Sequence, residues 1–466
     1  MKQRFTLFSL LLLCLAHSAC RAAESSVPSD PEPWLKDRLE WFQDLKFGFM
    51  MHFGAYSQWG CIESWPLSWE DRTWGNPSIK TYEQLVEFRK KYWSQNRTFN
   101  PEKFDPASWA KLAKRAGMRY VVFTTKHHDG FCMYDTKLTD FKVTAPDCPW
   151  SKTGGERADI TRSIFDAFRA EHFGIGAYFS KADWHCPDYW DPARPALNRN
   201  PNYDVFLEPD RWERFVKFTH GQIRELCSNY GPLDILWLDA GQVQKSNRQD
   251  IRIDEIVDDA RKLQPNLIVV DRATGTKHEN YRTPEQEVPD KPLPFVWESC
   301  ITMGTQWSFK PDDQYKSTRQ LIHLLVDVVA KGGNLLLNIG PQPDGQLPPE
   351  AVKRLTEIGD WMQINAEAIH GTRAIEPYKE GHVAFTRKGD VVYAIYLFDE
   401  NETPPAKIEL KTLRPKEGAR VTLLGSDAPV TWQPAGNVAV IELPAVEINS
   451  ISPYALVLKF EREGKP

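Results

Sequence analysis

The sequence lacks the features that mark several common functional classes. It has no excess of basic residues, since 58 lysines and arginines stand against 63 aspartates and glutamates, for a formal net charge of -5. Nucleic-acid binding needs a basic face, so we expect no nucleic-acid partner. No Cys-x-x-Cys pair occurs, and no Gly-x-Gly-x-x-Gly follows an early strand. A zinc site and a dinucleotide cofactor are therefore disfavoured.

Long apolar runs are also scarce, and the clearest one lies at the N-terminus. Lys2 and Arg4 precede an almost wholly apolar run from Phe5 to Ala16, and small residues follow. A basic start, a short apolar run and a small-residue zone predict a secretory signal peptide over residues 1–23. The run is too short to span a bilayer comfortably, so we expect no transmembrane span.

Cys20 leaves the class of signal peptide open. The segment Leu15–Cys20 loosely resembles a bacterial lipoprotein processing site, although His17 stands where an apolar residue is preferred. We expect cleavage near Ala22 or Ala23 and an exported protein, periplasmic or secreted, with lipid anchoring through Cys20 as the alternative. Export would permit disulfides among the remaining cysteines, but their spacing does not choose a pairing.

Short apolar segments of strand character alternate with longer amphipathic segments through most of the chain. The predicted strands are Phe47–Phe53, Tyr120–Thr125, Gly174–Ser180, Leu233–Leu238, Leu267–Val270 and Asn334–Ile339, with a weaker one at Phe295–Trp297. The predicted helices are Pro106–Ala116, Ile160–Glu171, Asp210–Ser228 and Ser317–Ala330. This alternation predicts an α/β fold, a (β/α)8-like TIM barrel over residues 34–368, with an open doubly wound sheet as the alternative.

The pattern changes near residue 370. Short alternating segments follow, such as Val391–Phe398 and Ala455–Phe460, and turn-prone pairs such as Gly389-Asp390 separate them. This predicts a C-terminal antiparallel β-sandwich over residues 369–466. Its aromatic residues are sparse, so we expect it to brace the barrel rather than to bind carbohydrate.

Polar residues follow the predicted strands. In a parallel barrel the catalytic groups lie at the C-terminal ends of the strands, so these residues are expected to meet at one mouth. They are His52, Lys126 to Asp129, Lys181 to His185, Asp239, Asp271 with Arg272, and Glu298.

Asp239 is the first candidate for chemistry. It ends the buried segment Leu233–Leu238 and is followed by the small residues Ala240 and Gly241. A carboxylate in that place suits a nucleophile toward a sugar anomeric centre, because the oxocarbenium-like transition state favours negative charge beneath it. The alternative is a helix N-cap, a role for which aspartate is also well suited.

A retaining glycosidase needs a second carboxyl group as acid and base. Glu298 is the preferred candidate, because its neighbour Trp297 provides the apolar surroundings that raise a carboxyl pKa. Glu285 and Glu287 are the alternatives. For all three, a surface or salt-bridged glutamate is the non-functional interpretation.

The histidines admit two interpretations. His127 and His128 would form an interstrand metal site together with His52 and His185. Adjacent residues on a strand point to opposite faces, however, so His127 and His128 would not bind one metal ion by themselves. Hydrogen bonding of neutral imidazoles to sugar hydroxyls is the preferred interpretation, and a structural role is the alternative. Arg272 would hold the nucleophile carboxylate or a substrate hydroxyl, with an internal salt bridge as the alternative. The sequence contains 17 tryptophans, and Trp65, Trp237 and Trp307 would wall a sugar pocket or belong to the core.

These segments together resemble the α-L-fucosidases of glycoside hydrolase family 29. The resemblance runs in order from about residue 40 to 345, and two of its motifs are specific. They are Lys126-His127-His128-Asp129-Gly130-Phe131 and Gly332-Gly333-Asn334-Leu335-Leu336-Leu337-Asn338-Ile339-Gly340-Pro341. Weaker similarity covers the segments Phe47–Ser57, Tyr178–Trp184, Asp234–Gly241, Arg282–Glu287 and Trp297–Cys300.

The resemblance implies a bacterial, exported enzyme that releases L-fucose from a fucosylated oligosaccharide or glycoconjugate by retaining double displacement, with no metal or organic cofactor. It implies Asp239 as nucleophile and Glu298 as acid/base, with Glu285 in reserve. The fucose-binding residues that it implies are His52, Trp65, His127, His128, Tyr178, Trp237 and Arg272. The family's Gly-Glu-Trp segment is matched only approximately, either at Cys61–Trp65 or at Ser68–Glu70.

Two other functions fit the same residues. One is a retaining exo-glycosidase on a related sugar such as L-galactose, since an apolar contact to the fucose methyl group discriminates by only about 1–3 kcal/mol. The other is a non-catalytic fucose-binding protein, against which the two candidate carboxylates argue. The sequence specifies neither the linkage preference nor the oligomeric state.

Overall fold

The computed structural model describes residues 32–272, 277–402, 404–444 and 451–463. The predicted signal peptide at residues 1–23, with Cys20, lies outside these ranges. In the described part of the chain no helix is both long and apolar enough to cross a membrane. The described cysteines, from Cys61 to Cys300, are free thiols.

A parallel sheet forms the larger part of the fold. Within the described ranges its strands are Phe47–Met51 (β1), Tyr120–Lys126 (β2), Gly174–Ser180 (β3), Ile235–Asp239 (β4), Ile268–Val270 (β5), Glu298–Thr302 (β6) and Asn334–Ile339 (β7). They are ordered β5-β4-β3-β2-β1-β7-β6, and every pairing is parallel. Chain neighbours are therefore sheet neighbours, except that β5 and β6 stand at the two ends of the order. An open doubly wound sheet does not have this order, so that alternative is wrong.

Helices connect the strands and cover the outside of the sheet. They are Pro33–Leu45 (α1), Arg72–Gly75 (α2), Tyr82–Tyr92 (α3), Pro106–Arg115 (α4), Trp150–Thr153 (α5), Ile160–Ala170 (α6), Pro209–Asn229 (α7), Ile253–Leu263 (α8), Thr318–Ala330 (α9) and Pro349–Asn365 (α10). The four helices that the sequence predicted are confirmed to within about one residue at each end.

Local sequence explains where such a helix begins and which side it buries. In α6 the Asp159 carboxylate accepts the N–H of Arg162 at 3.0 Å, which caps a free donor of the first turn. Ile160, Ile164 and Phe168 recur at a spacing of four residues and are buried. This spacing places them on one face of the helix, which packs toward β2 and β3.

The inner face of the sheet carries one continuous set of side chains. Alternate residues of all seven strands contribute to it, including residues of the two end strands: Met50, Tyr120, Val122, Tyr178, Ile235, Trp237, Ile268, Val270, Cys300 and Leu336. Side chains of strands far apart in the order also meet, since Trp237 of β4 donates a hydrogen bond to Glu298 of β6 at 3.1 Å. The sheet is therefore curved into at least a half-barrel.

Strand β6 differs from the expectation. The sequence predicted a strand at Phe295–Trp297 with Glu298 after it, whereas Glu298 is the first residue of β6. The error arose because Trp297 and Phe295 look like strand residues, while the strand itself is the less distinctive Glu-Ser-Cys-Ile-Thr. As a result, Glu298 lies near the N-terminal ends of the strands, opposite the expected mouth.

The C-terminal part is antiparallel, as predicted. Its strands are Arg373–Glu380 (β8), Val383–Lys388 (β9), Val391–Leu397 (β10), Lys407–Leu410 (β11), Thr422–Leu423 (β12), Thr431–Ala435 (β13), Val438–Glu442 (β14) and Ala455–Glu461 (β15). They form a sheet of order β12-β15-β10-β9-β8 and a smaller one of order β11-β14-β13. Both sheets contribute to one buried apolar cluster, which includes Phe385 and Ile441. The larger sheet contacts the part of the chain that carries the parallel sheet through α9 and α10, for example where the Trp361 indole N–H donates to the Ala455 carbonyl at 3.1 Å.

The close packing of the inner face yields a stability prediction. A Cβ added at Gly48 of β1 would lie 2.3 Å from the Tyr120 ring. We expect Gly48→Ala to lower the free energy of unfolding by at least about 1–3 kcal/mol, because the ring has little room to move. Urea unfolding measures this. In a Tyr120→Leu background the penalty should shrink, and an equal penalty in both backgrounds would contradict the packing explanation.

Candidate active site

A cavity of about 240 Å³ opens at the C-terminal ends of the strands. It is lined by residues of β1, β3, β4 and β6 and of the loops that follow the strands. The lining residues are Met50, His52, Glu63, Trp65, His127, His128, Tyr178, Arg199, Trp237, Asp239, Ala240, Gly241, Gln242, Arg272, Glu285, Cys300 and Trp307. The structure thus brings together Asp239 and all seven residues that the resemblance implied for fucose binding.

Asp239 is the last residue of β4 and faces the cavity. Its Oδ2 accepts a hydrogen bond from the Tyr178 hydroxyl at 2.6 Å and lies 3.8 Å from Nε2 of His128. Its Oδ1 lies 3.7 Å from Nε of Arg272. Burial by itself raises the carboxyl pKa, but the Arg272 guanidinium and the hydrogen bond from Tyr178 outweigh it and lower the pKa to about 2. Asp239 is therefore ionised at neutral pH.

Trp237 supports two of these partners. Its indole stacks on the Tyr178 ring, with ring centroids 5.3 Å apart and planes at 20°. The Arg272 guanidinium lies 5.0 Å from the centroid of the same indole. The groups that keep Asp239 charged are thus held in place by an aromatic wall.

Arg272 joins two carboxylates. Its Nε faces Asp239, and its Nη2 forms an ion pair with Glu285. Burial lowers the pKa of Arg272, but Glu285 and Asp239 raise it well above its usual value. One cation therefore holds two acidic side chains at one wall of the cavity.

His52 presents a hydrogen-bond acceptor to the cavity. The Asn338 amide nitrogen donates to the Trp307 carbonyl at 2.6 Å, which directs the amide oxygen toward His52 Nδ1 at 2.7 Å. Nδ1 therefore carries the hydrogen, and Nε2 is left with its lone pair. Burial lowers the pKa of His52 to about 4.

His127 and His128 both enter the cavity. The expectation that they point to opposite faces is wrong, because β2 ends at Lys126 and both residues lie in the following loop. Their ring centroids are 4.2 Å apart. Burial lowers the pKa of His127 well below its usual value and that of His128 to about 4. Both imidazoles are therefore neutral at neutral pH.

Serine hydroxyls orient these two rings. Ser180 donates to the Ala182 carbonyl at 2.6 Å, so its oxygen accepts from Nδ1 of His128 at 2.6 Å. Nε2 of His128 is then an acceptor beside Asp239. Nδ1 of His127 lies 2.5 Å from the Ser64 hydroxyl.

Only some of the residues considered for a metal site lie close together. One atom each of His127, His128 and Asp239 lie within 4.8 Å of one another. His185 does not join them, because its ring stacks on Phe141 with centroids 4.2 Å apart, outside the cavity. The four-histidine arrangement considered from the sequence is therefore wrong.

Of the two segments that approximate Gly-Glu-Trp, Cys61–Trp65 is the one at the cavity. Glu63 and Trp65 both line it, whereas Glu70 interacts with Arg199 on the outer side. Oε1 of Glu63 accepts the Ser308 N–H at 2.6 Å. Burial raises the pKa of Glu63 to about 7, which outweighs its hydrogen bonds with Ser308.

The three candidate acid/base residues have different positions. Glu285 lines the cavity, and its side chain is 42% exposed. Glu287 is exposed and does not line the cavity. Glu298 is fully buried beneath it, where its oxygens accept from Tyr120 at 2.7 Å and Trp237 at 3.1 Å. The expectation that Glu298 lies at the mouth is therefore wrong.

Arg199 lines the cavity although no sequence pattern singled it out. Its guanidinium lies 4.4 Å from the Trp65 ring centroid and pairs with both oxygens of Asp71, at 2.9 and 2.5 Å. Arg199 belongs to the long loop between β3 and α7, far from any strand end. Only the path of this loop brings it to the cavity, so strand-based reasoning had no signal for it.

Three non-glycine residues of the cavity have left-handed backbone conformations. They are Glu63 (φ 38°), Ala240 (φ 69°) and Arg272 (φ 64°). Such conformations cost roughly 1–3 kcal/mol each and cluster at functional sites, where surrounding packing maintains them. Here they aim the side chains of Glu63 and Arg272 at a site that regular strands would not reach.

Comparison with known proteins matches this site and fold to one family. The family model described as Alpha-L-fucosidase matches residues 15–367. The alpha-L-fucosidase of Branchiostoma floridae is 28% identical, over 95% of this chain and 96% of its own length. The tissue alpha-L-fucosidase of Homo sapiens is 27% identical, over 91% of this chain and 90% of its own length.

Solved structures agree. Alpha-L-fucosidase isoenzyme 1 from Paenibacillus thiaminolyticus has a TM-score of 0.75 and 31% identity, covering 92% of this chain and 100% of its own. The Thermotoga maritima alpha-fucosidase in complex with fucose has a TM-score of 0.71 and 28% identity, and the match covers 91% of this chain and 98% of that chain. With a family model that spans more than half of its length, this chain belongs to the alpha-L-fucosidase family of glycoside hydrolases.

Proposed function

We propose that this protein is a retaining exo-α-L-fucosidase that acts through a covalent fucosyl-enzyme intermediate. The observation that carries this proposal is the pair of carboxylates on one cavity wall. Asp239 and Glu285 both contact the Arg272 guanidinium, through Nε and Nη2, and Asp239 is held ionised. A retaining glycosidase needs such a pair, one group as nucleophile and the other as acid and base.

In the first step, Asp239 attacks the anomeric carbon from the face opposite the leaving oxygen. Its low pKa, about 2, keeps it charged, so it also stabilises the positive charge that develops on the sugar ring. Glu285 protonates the departing oxygen as the glycosidic bond breaks. The product of this step is a β-linked fucosyl ester of Asp239 and a free aglycone.

In the second step, Glu285 removes a proton from water, which attacks the ester from the aglycone side. L-fucose is released with its original α configuration, and both carboxyl groups return to their starting states. We assign this role to Glu285 rather than Glu298 because Glu285 lines the cavity and is accessible, whereas both oxygens of Glu298 are engaged beneath it.

The substrate is a terminal fucose of a fucosylated glycan. The cavity of about 240 Å³ is smaller than pockets for drug-sized ligands, roughly 300–1,000 Å³, which suits one sugar unit and exo cleavage. We propose that His52, His127 and His128 hydrogen bond to the sugar hydroxyls as neutral imidazoles, since these can both donate and accept. Trp65 and Trp237 would pack against the ring, and Tyr178 and Arg272 would orient Asp239.

The finer architecture belongs to the same proposal. We infer a distorted (β/α)8-like barrel over residues 34–368 and a β-sandwich over residues 369–466 that braces the barrel. The strand order, in which β5 and β6 occupy the two ends, supports closure. So does the 3.1 Å hydrogen bond from Trp237 to Glu298, since five strand spacings of about 4.8 Å would separate their strands in a flat sheet.

We also propose that the protein is exported by the signal peptide at residues 1–23. The basic start, the short apolar run and the small residues after it support this. Cleavage near Ala22 or Ala23 would release the protein to the periplasm or medium, and modification of Cys20 would anchor it by a lipid.

We expect Asp239→Ala to lower kcat for an aryl α-L-fucoside by at least about 10³-fold, because the variant lacks the nucleophile. Added azide should restore turnover and yield the β-fucosyl azide, since azide then attacks the α-fucoside directly. Kinetics with product analysis by NMR measures both effects. Near-parent activity of the variant would contradict the nucleophile assignment.

We expect Glu285→Ala to lose about 10²–10⁴-fold in kcat on a substrate with a poor leaving group. On an aryl α-L-fucoside, whose leaving group departs without protonation, azide should accelerate this variant and yield the α-fucosyl azide, because it attacks the fucosyl-Asp239 ester. Glu287→Gln, two residues away and exposed, is the matched control and should retain parent kinetics. Azide rescue of another glutamate variant instead would overturn the assignment to Glu285.

Fucose binding should weaken at acid pH. Burial lowers the pKa values of His52 and His128 to about 4, so both present a lone pair above that pH and lose it as the pH falls toward 4. Calorimetric titration with L-fucose should give a Kd that rises as the pH falls from about 6 toward 4. Near-UV circular dichroism at each pH separates this effect from acid unfolding. Unchanged Kd at pH 4 in the folded protein would contradict it.

A further inference from the structure

Glu298 is a fully buried acidic residue that the proposed reaction does not use. It is the first residue of β6, and none of its side chain is exposed. The Tyr120 hydroxyl donates to Oε2 at 2.7 Å, and the Trp237 indole N–H donates to Oε1 at 3.1 Å. The carboxyl group therefore connects β2, β4 and β6 inside the curved sheet.

The position of Glu298 is one layer below the cavity. Cys300, two residues later on β6, faces the same side of the strand and lines the cavity, so Glu298 lies on the same face but deeper. The Tyr120 ring occupies the space that Gly48 leaves free, and Phe42 packs against that ring with centroids 5.5 Å apart. The carboxyl group is thus enclosed between the cavity floor and an aromatic layer.

Trp237 links this buried layer to the reacting groups. The indole contacts the Tyr178 ring and the Arg272 guanidinium, and both of these contact Asp239. A buried indole N–H needs an acceptor, and its direction sets the rotation of the ring. The acceptor at Trp237 is Glu298.

We propose that Glu298 is a positioning residue that acts through Trp237, fixing the indole against which Tyr178 and Arg272 align the Asp239 carboxylate. This inference rests on the proposed function and assigns Glu298 no proton transfer to the substrate. Without the acceptor, the indole N–H is unsatisfied and the ring turns toward another partner. Tyr178 and Arg272 then lose their common support, and the nucleophile is misaligned.

The experiment compares two leaving groups. Parent, Glu298→Gln, Glu298→Ala and Glu285→Ala are assayed on 4-nitrophenyl α-L-fucoside, which needs little protonation, and on methyl α-L-fucoside, which needs much. We expect Glu298→Ala to lose kcat/KM by the same factor on both, on the order of 10²-fold, as for a misplaced reacting group. Glu298→Gln, which keeps an acceptor oxygen, should lose less, and azide should accelerate neither.

The Glu285→Ala variant provides the contrast. Its loss of kcat/KM should be much larger on the methyl fucoside, and azide should accelerate its turnover of the 4-nitrophenyl fucoside. If Glu298→Ala instead shows the selective loss and yields α-fucosyl azide, Glu298 is the acid/base and the proposal is overturned. If Glu298→Ala keeps parent kinetics on both substrates, it is overturned as well.

A second comparison tests the route through Trp237. In a Trp237→Phe background no indole N–H remains, so adding Glu298→Gln should cost at most about twofold more in kcat/KM. A loss as large as in the parent background would mean that Glu298 does not act through Trp237. Near-UV circular dichroism and thermal unfolding confirm that each variant is folded, and Glu287→Gln again serves as the exposed control.

Failure of this inference is distinct from failure of the proposed function. Parent turnover, loss of turnover in Asp239→Ala and azide rescue of Glu285→Ala test the proposed function without any Glu298 variant. If these hold and the Glu298 results disagree, only the positioning role is wrong.

Discussion

A carboxylate must remain charged at the wall of a cavity that is lined mostly by buried side chains, and much of the structure serves this requirement. Burial alone would protonate Asp239, because a low-dielectric environment disfavours the charged form. The Arg272 guanidinium and the Tyr178 hydroxyl reverse that effect. Each of them depends on a further contact: Arg272 on Glu285 and Trp237, and Tyr178 on the same indole.

The same site contains carboxyl groups with opposite properties. Asp239 has a pKa of about 2, whereas burial raises the pKa of Glu63 and of Glu298 to about 7. The difference lies in the surroundings rather than in residue type, since the Arg272 guanidinium lies 3.7 Å from Asp239, while the hydrogen bonds to Glu63 and Glu298 come from the neutral groups of Ser308, Tyr120 and Trp237. Environments that move apart the pKa values of neighbouring acids are characteristic of enzymes that use two carboxyl groups differently. The histidines around them stay neutral for the same reason, burial, and so add no competing charge.

The ends of the strands and the inner face of the sheet have different roles. Side chains from strand ends and from the following loops form the cavity, and the buried inner face of the strands supports it from below. In this inner layer Gly48 admits the Tyr120 ring, and that ring reaches Glu298. The antiparallel part packs against α9 and α10. There a ring nitrogen of Trp361 hydrogen bonds to the Ala455 carbonyl, and a ring nitrogen of His323 hydrogen bonds to the Tyr454 carbonyl. These contacts are remote from the cavity, which is consistent with a bracing part that leaves the chemistry to the parallel sheet.

The sequence by itself determined the alternation of strands and helices, the change to antiparallel structure near residue 370, and the position of Asp239, His52 and Arg272 at strand ends. These features are local, because they depend on periodicity along the chain and on what directly follows an apolar run. Only the tertiary structure placed Glu285 at the cavity and Glu298 beneath it, since the sequence predicted a strand at Phe295–Trp297, whereas β6 begins three residues later, at Glu298. It also decided that His127 and His128 share one cavity and that Arg199 reaches it, because the conformation of a loop depends on contacts with residues far away in the chain. Strand ends can be read from hydrophobic patterns, whereas loop paths and burial depth arise only when the whole chain has packed.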